Sequence, residues 1–405
     1  TLIEMLAVIA ACAVYSLFSK RLARTVLSMP ILFACLGLAL SVPLKATLPP
    51  DAVHEGKIVL AEVTLILVLF ADASHVRFRR LRMDWALPAR MLVIGMPLTI
   101  GFGTALVYGL NPGSDLAMAL LTAAVLTPTD AALGQAVVAN PVVPGHLGQT
   151  INVESGLNDG LALPFVLLGA TLASMTIGQE PVSALHLAGE ALTELAFGVM
   201  AGLAAGWATA RVMDWAQTRD LMQVSAGAVL FLLSALAAYV MASLLGGNGF
   251  IAAFVAGMAF GNTYRHDIHF VSEFMEGVGQ LLTMMAFLVF GAFLLPDGLA
   301  HATWRTALLA ILFLTVIRIL PIVISLSRTG LPMREKLFLG WFGPRGLASI
   351  LFTLLMMAEF DFPNEEELLA CVSLTVGLSI LMHGITANPL ARRIGQTRNP
   401  IQKGQ

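Results

Sequence analysis

Ala123-Ala124-Val125-Leu126-Thr127-Pro128-Thr129-Asp130 ends an apolar run on a helix breaker and an acid. Pro128 has no N–H, so the carbonyl of Ala124, four residues back, loses its helical partner. Thr127 and Thr129 flank the break with hydroxyls that compete for backbone groups. A second cluster of breakers, Gly343-Pro344-Arg345-Gly346, interrupts another apolar run much later in the chain. Proline kinks occur in many membrane helices without further meaning. Here each break sits beside a charge, and paired interruptions in two halves of a chain point to a binding site at mid-membrane depth.

The surrounding composition supports a membrane setting. Of 405 residues, 58% are hydrophobic and 12% charged, with a mean hydropathy of +0.84. Soluble domains carry about 25% charged residues, so this chain has too few to cover a globule and must turn most of its surface to lipid. A net charge of −2 argues against a nucleic-acid partner. Cys12, Cys35 and Cys371 stand in separate apolar stretches and form no disulfide or metal pattern. The stretch from Thr1 to Phe18 lacks a basic front and a small-residue cleavage site, so it reads as a first span and not a signal peptide.

Crossing about 30 Å of hydrocarbon takes about 20 apolar residues. Thirteen stretches qualify, at roughly 2–19, 26–44, 57–75, 88–110, 115–138, 149–173, 188–213, 221–245, 249–263, 273–295, 302–327, 335–358 and 366–390. The expected fold is therefore an all-α polytopic bundle. The breaks fall in spans 5 and 12, seven apart. If spans 1–6 and 8–13 are repeats, that odd offset makes them inverted, with span 7 as linker and discontinuous helices 5 and 12 in corresponding positions.

Basic residues gather on the cytoplasmic side of membrane proteins. One alternate set of loops holds eighteen: Lys20, Arg21 and Arg24, the five arginines from Arg77 to Arg90, Arg211, Arg219, Arg265, Arg328, Arg334 and Lys336, and the tail's Arg392, Arg393, Arg398 and Lys403. The other set holds only Lys45, Lys57 and Arg305. An inner-membrane protein with its N-terminus outside and its C-terminus in the cytoplasm is expected. Arg77 to Arg82 reads as a topological anchor, and Glu365-Glu366-Glu367 as the solvated start of the last span.

Charges inside a bilayer are costly and are functional candidates by default. They are Asp130, Glu154, Asp159, Arg318 and Arg345. Span 6 opens Ile151-Asn152-Val153-Glu154-Ser155-Gly156-Leu157-Asn158-Asp159. At helical spacing Asn152, Ser155 and Asp159 share one stripe, and Glu154 and Asn158 the next. Two carboxylates, a hydroxyl and two amides form the kind of oxygen-rich face that hard cations take. A divalent metal or an acid dyad would also suit two carboxylates. Two arginines against three acids leave one acid free to change charge, however, which suits one monovalent ion or one proton. Ser155 can instead bond back to the carbonyl of Ile151, Glu154 can be a ligand or only a partner of an arginine, and Asn158 reads as architectural. The histidines fall mostly in loops or near span ends, and the methionines read as packing.

Thr129-Asp130, Glu154-Ser155-Gly156-Leu157-Asn158-Asp159 and Gly340-Trp341-Phe342-Gly343-Pro344-Arg345-Gly346 together resemble the monovalent cation–proton antiporter superfamily, and within it the electroneutral NhaP/NHE-like branch. The related electrogenic branch has Asp-Asp where this chain has Asn158-Asp159. The resemblance implies a homodimer whose protomers each have a core domain with crossed discontinuous helices 5 and 12 (including about 57–173 and 302–358) and a dimerisation domain (including about 1–44 and 188–263). It implies Asp159 as the cation- and proton-binding carboxylate, helped by Glu154, Ser155 and the carbonyl of Thr129. Asn158 and Asp130 would organise the broken helices, Arg318 would pair with Glu154, and Arg345 would hold the crossing through Asp130. One departure is Phe70-Ala71-Asp72-Ala73-Ser74, where the family pattern has an acid followed by glycines; Asp72 and Glu62 therefore stay outside the expected site.

The expected activity is exchange of Na⁺ for H⁺, with Li⁺ or K⁺ as further candidates and no cofactor beyond the transported ions. Proton and cation would compete for Asp159, and the loaded, neutral site would cross where the bare carboxylate would not. Rival readings are a K⁺/H⁺ antiporter, a passive cation channel and an organic-anion symporter of the same fold. An intramembrane hydrolase would need an acid dyad or a base beside Ser155, and no His or Lys shares that face.

Overall fold

The computed structural model describes residues 2–22, 25, 27–76, 85–111, 115–130, 133–134, 137, 142–175, 184–266 and 269–396. Helices α1 (Leu2–Leu22), α2 (Met29–Thr47), α3 (Pro50–Ser74), α4 (Ala86–Leu110, with a π turn at Met91–Gly95), α5 (Leu116–Val125) and α6 (Gly145–Met175) form the first part. Then come α7 (Ala184–Thr218), α8 (Val224–Leu244), α9 (Gly249–Thr263) and α10, which runs His269–Val289, takes a π turn at Phe290–Leu294 and ends with Leu295–Ala300. The last part is α11 (Trp304–Ser325, interrupted at Thr315), α12a (Met333–Trp341), α12b (Leu347–Glu359) and α13 (Glu365–Gln396). No strand occurs among the described residues.

Nine of these helices are long and apolar enough to cross a membrane. Leu116–Val125, Gly249–Thr263 and Leu347–Glu359 are shorter apolar helices. A helix satisfies its backbone within itself, the requirement hydrocarbon imposes. Polarity is inverted relative to a soluble protein. Leu2, Leu17, Val42 and Leu244 are exposed, while Arg318 and Arg345 are among the largest fully buried side chains. The protein is a multi-pass membrane protein.

Helices overrun several expected ends. α3 starts seven residues early, at Pro50, where a proline costs nothing because the first helical N–H is an orphan anyway. Stretch 335–358 is two helices, because residues 342–346 leave the helical path. Stretch 115–138 stops being helical at Val125, ahead of Pro128. Arg24, Arg77 to Arg82, Arg398 and Lys403 lie outside the described residues.

Backbone-level contacts tie the bundle together. α7 lays Gly198, Gly202 and Gly206 against the carbonyls of Asn248, Ala252 and Ala256, so α7 and the α9 segment pack with no side chain between them. Gly257 and Gly261 of α9 lie likewise against the carbonyls of Phe70 and Ser74 in α3.

Candidate functional site

The two breaks meet in the protein interior. Asp130 N–H donates to the carbonyl of Pro344 at 2.8 Å, one backbone bond joining the two interruptions. The Asp130 carboxylate accepts Leu347 N–H (2.8 Å), the first N–H of α12b, and Leu133 N–H (3.3 Å), where helix resumes after Pro128. Helix N-termini carry partial positive charge and unpaired N–H groups, and an acid relieves both. One carboxylate thus caps two half-helices.

The opposite polarity appears at the end of α5, whose carbonyls carry partial negative charge. Arg345 Nη1 donates to the carbonyls of Thr127 and Pro128, the latter at 3.0 Å, and Ser349 Oγ donates to that of Val125 at 2.7 Å. Arg345 therefore reaches the broken helix through its main-chain carbonyls, a route the sequence does not display. Gly346 is required because a Cβ there would overlap the Asp130 carboxylate, and Gly343 because one would overlap the Arg318 guanidinium.

The polar residues of α6 meet this crossing at Thr129. Its hydroxyl is 3.0 Å from Ser155 Oγ, donates to Glu154 Oε2 at 3.3 Å and accepts from Asn158 Nδ2 at 2.5 Å. Asn158 Nδ2 also donates to Glu154 Oε1 at 3.4 Å. Arg318 grips Glu154 with both terminal nitrogens, Nη1 to Oε1 at 2.8 Å and Nη2 to Oε2 at 2.9 Å. Asp159 is buried, and its Oδ1 has no hydrogen-bond partner among the described residues; the same holds for Asn158 Oδ1. So Thr129, Glu154, Ser155 and Asn158 form one hydrogen-bonded cluster, with Asp159 next along α6. Oxygen dominates the set, and two of its oxygens keep lone pairs to give. Such a group can hold a hard cation, with Asp159 supplying charge that no arginine has taken up.

Two positions differ from expectation. Asn152, placed on the polar stripe, is exposed and outside the cluster. Asp72, left out of the expected site, stands against α6 next to it: a Cβ on Gly156 would be 3.8 Å from the Asp72 Cβ. Its signal was an acid late in an apolar stretch, which looks the same when the acid is interfacial. Gly160, the residue after Asp159, leaves room for the ring of Phe254, so α9 packs closely against α6 one residue past the candidate carboxylate.

The comparisons with known proteins agree with this architecture. Residues 6–393 match the family described as sodium/hydrogen exchanger, transmembrane. Na(+)/H(+) antiporter 2 of Zygosaccharomyces rouxii is 26% identical over 359 residues, covering 80% of this chain and 44% of that protein. The K(+)/H(+) antiporter NhaP of Alkalimonas amylolytica is 22% identical over 339 residues, covering 82% of this chain and 57% of that one. The chain spans about half the length of these relatives. Among solved structures, the sodium proton antiporter MjNhaP1 of Methanocaldococcus jannaschii superimposes with a TM-score of 0.75 over 97% of each chain at 18% identity, a likeness of fold. With nearly its whole length matched and its two broken helices crossed around a buried acid, this chain belongs to the transmembrane sodium/hydrogen exchanger family.

Proposed function

We propose that the protein is a secondary antiporter exchanging Na⁺ for H⁺, one for one, with Asp159 the carboxylate that both ions contest. The observation that carries this reading is the buried Oδ1 of Asp159, without a hydrogen-bond partner among the described residues, next to Asn158 and one turn along α6 from Ser155, while Arg318 neutralises Glu154. A proton or a monovalent cation cancels the charge of Asp159, and only a neutral site moves readily through an apolar surround. Glu154, Ser155 and Thr129 assist the cation; Asn158, Asp130, Arg318 and Arg345 keep the broken helices in place. No phosphate-binding glycine loop occurs in these 405 residues, so the gradient of one ion drives the other.

The reading includes a homodimer in the inner membrane, N-terminus outside and C-terminus in the cytoplasm. α1, none of whose residues is buried, would lie on the dimerisation side. The core part covers about 57–173 and 302–358 and the dimerisation part about 1–44 and 188–263, with one adjustment. Since α3 meets α9 backbone to backbone, a contact that leaves no slack for sliding, we draw the moving boundary between α3 and α6.

A K⁺/H⁺ exchanger is the second reading, favoured by the relative of that name from Alkalimonas amylolytica. Proton flux in reconstituted vesicles under stepped Na⁺, K⁺ and Li⁺ gradients separates the two. Flux that follows Na⁺ supports the first, and flux that follows K⁺ alone supports the second. Current without counter-ion dependence would mean a channel and end both.

A further inference from the structure

Four half-helix ends meet at the crossing, and three have partners described above. Asp130 caps the N-termini after Pro128 and at α12b, and Arg345 takes the carbonyls that end α5. The fourth end is the C-terminus of α12a, whose last carbonyls lack helical donors. It is met by His383, about 1% exposed in the middle of α13. His383 Nε2 lies 2.9 Å from the carbonyl of Trp341, the last residue of α12a.

Both ring nitrogens lie near a carbonyl, so the direction of each proton depends on the tautomer. With the hydrogen on Nε2 and donated to the Trp341 carbonyl, Nδ1 of the neutral ring is an acceptor. Nδ1 stands 3.2 Å from Ser379 Oγ and 3.0 Å from the Ser379 carbonyl, and of these only the hydroxyl can donate. Ser379 Oγ in turn accepts Arg345 N–H at 2.7 Å. In that tautomer the chain reads Arg345 N–H to Ser379 Oγ–H to His383 Nδ1, then His383 Nε2–H to Trp341 carbonyl. It spans the whole interruption, from the last residue of α12a to the arginine just before α12b. The rings of Trp341 (centroids 5.2 Å apart) and Phe342 (6.4 Å) pack on the imidazole, and Trp341 Nε1 is anchored to Thr386 Oγ1 of α13 at 3.0 Å.

We propose that His383 is a positioning residue for the cation site: by clamping both sides of the α12 break through Ser379, it sets where Arg345 holds the Thr127 and Pro128 carbonyls and hence where Thr129 stands. The proposal rests on the exchange reading above. A clamp of this kind acts on the fit of the ion and not merely on the amount of folded protein.

The test is Na⁺- and Li⁺-driven proton flux in proteoliposomes for the parent, His383→Leu, His383→Gln and Ser379→Ala. The Trp341 carbonyl also accepts Gly343 N–H at 2.9 Å, so His383→Leu removes one of its two donors together with the tie to Ser379, which should raise the half-saturating Na⁺ concentration about tenfold, and Ser379→Ala should raise it about threefold. The Na⁺/Li⁺ preference should change in both. Glutamine keeps one donor and one acceptor, so His383→Gln should stay within about twofold of the parent. Parental half-saturation and ion preference in folded His383→Leu overturn the proposal, as does a glutamine variant no better than leucine. If His383→Leu does not fold, Ser379→Ala decides alone, and parental values there overturn it. A parent without cation-coupled proton flux would defeat the exchange reading instead.

Discussion

The guanidinium of Arg318 holds both carboxylate oxygens of Glu154, and each side chain is about 2% exposed. The pair sits at the one place where α11 is interrupted, three residues after Thr315, so it joins that bend to α6. Removing one partner of a buried pair strands the other charge and costs roughly 3–5 kcal/mol.

Glu154→Gln and Arg318→Leu should therefore each lower the melting temperature sharply, while the double variant should lose less than the sum. Melting of the purified protein in detergent for all four members of the cycle measures this. Strictly additive shifts would mean that the two side chains are not coupled.

Asp130 should be the second most sensitive position for stability. Asp130→Asn keeps an acceptor but gives up the charge facing two helix N-termini, at about 1–3 kcal/mol. Asp130→Ala also strands the buried N–H of Leu347 and should melt lower still. Gly346→Ala should be comparably harmful, since its Cβ would occupy the space of the Asp130 carboxylate. Melting curves in the order parent, Asn, Ala check the first two, and parental melting of Gly346→Ala would contradict the crossing geometry.

Much of this was legible in the residues themselves. Pro128 and the Gly343-Pro344-Arg345-Gly346 cluster announce breaks because backbone chemistry is local, and Glu154 through Asp159 announce a polar face because helical spacing is local. Buried charges need opposite partners, so the arginines are expected to pair with acids, and the family resemblance is what matches Arg318 with Glu154. Asp72, Phe254 and His383 could not be placed that way. Each reaches the site from a helix far away in sequence, and an acid near a helix end or a histidine in an apolar helix reads identically whether it faces a neighbour or an interface. The exposure of Asn152 has the same origin, since helical phase alone does not say where a stripe leaves the protein interior.

Asp72 matters for charge accounting. One-for-one exchange requires Asp159 alone to alternate between proton and cation, although a second acid faces Gly156 nearby. A membrane potential acts on moved charge at about 2.3 kcal/mol per elementary charge per 100 mV. With K⁺ and valinomycin clamping vesicles at zero and then near −100 mV, the equilibrium Na⁺ ratio at fixed pH gradient should not move. Asp72→Asn should leave that insensitivity intact. A ratio that shifts in the parent and not in Asp72→Asn would identify Asp72 as a second titrating group.

The most direct measurement is Na⁺-driven proton flux in vesicles carrying Asp159→Asn, compared with the parent at matched protein density. The amide keeps the shape of the side chain but cannot trade a proton for a cation. The parent should couple the two ions in either direction, following the imposed gradient, and folded Asp159→Asn should give only the flux of protein-free vesicles. Coupled flux near the parental rate in that variant would contradict the role given to Asp159.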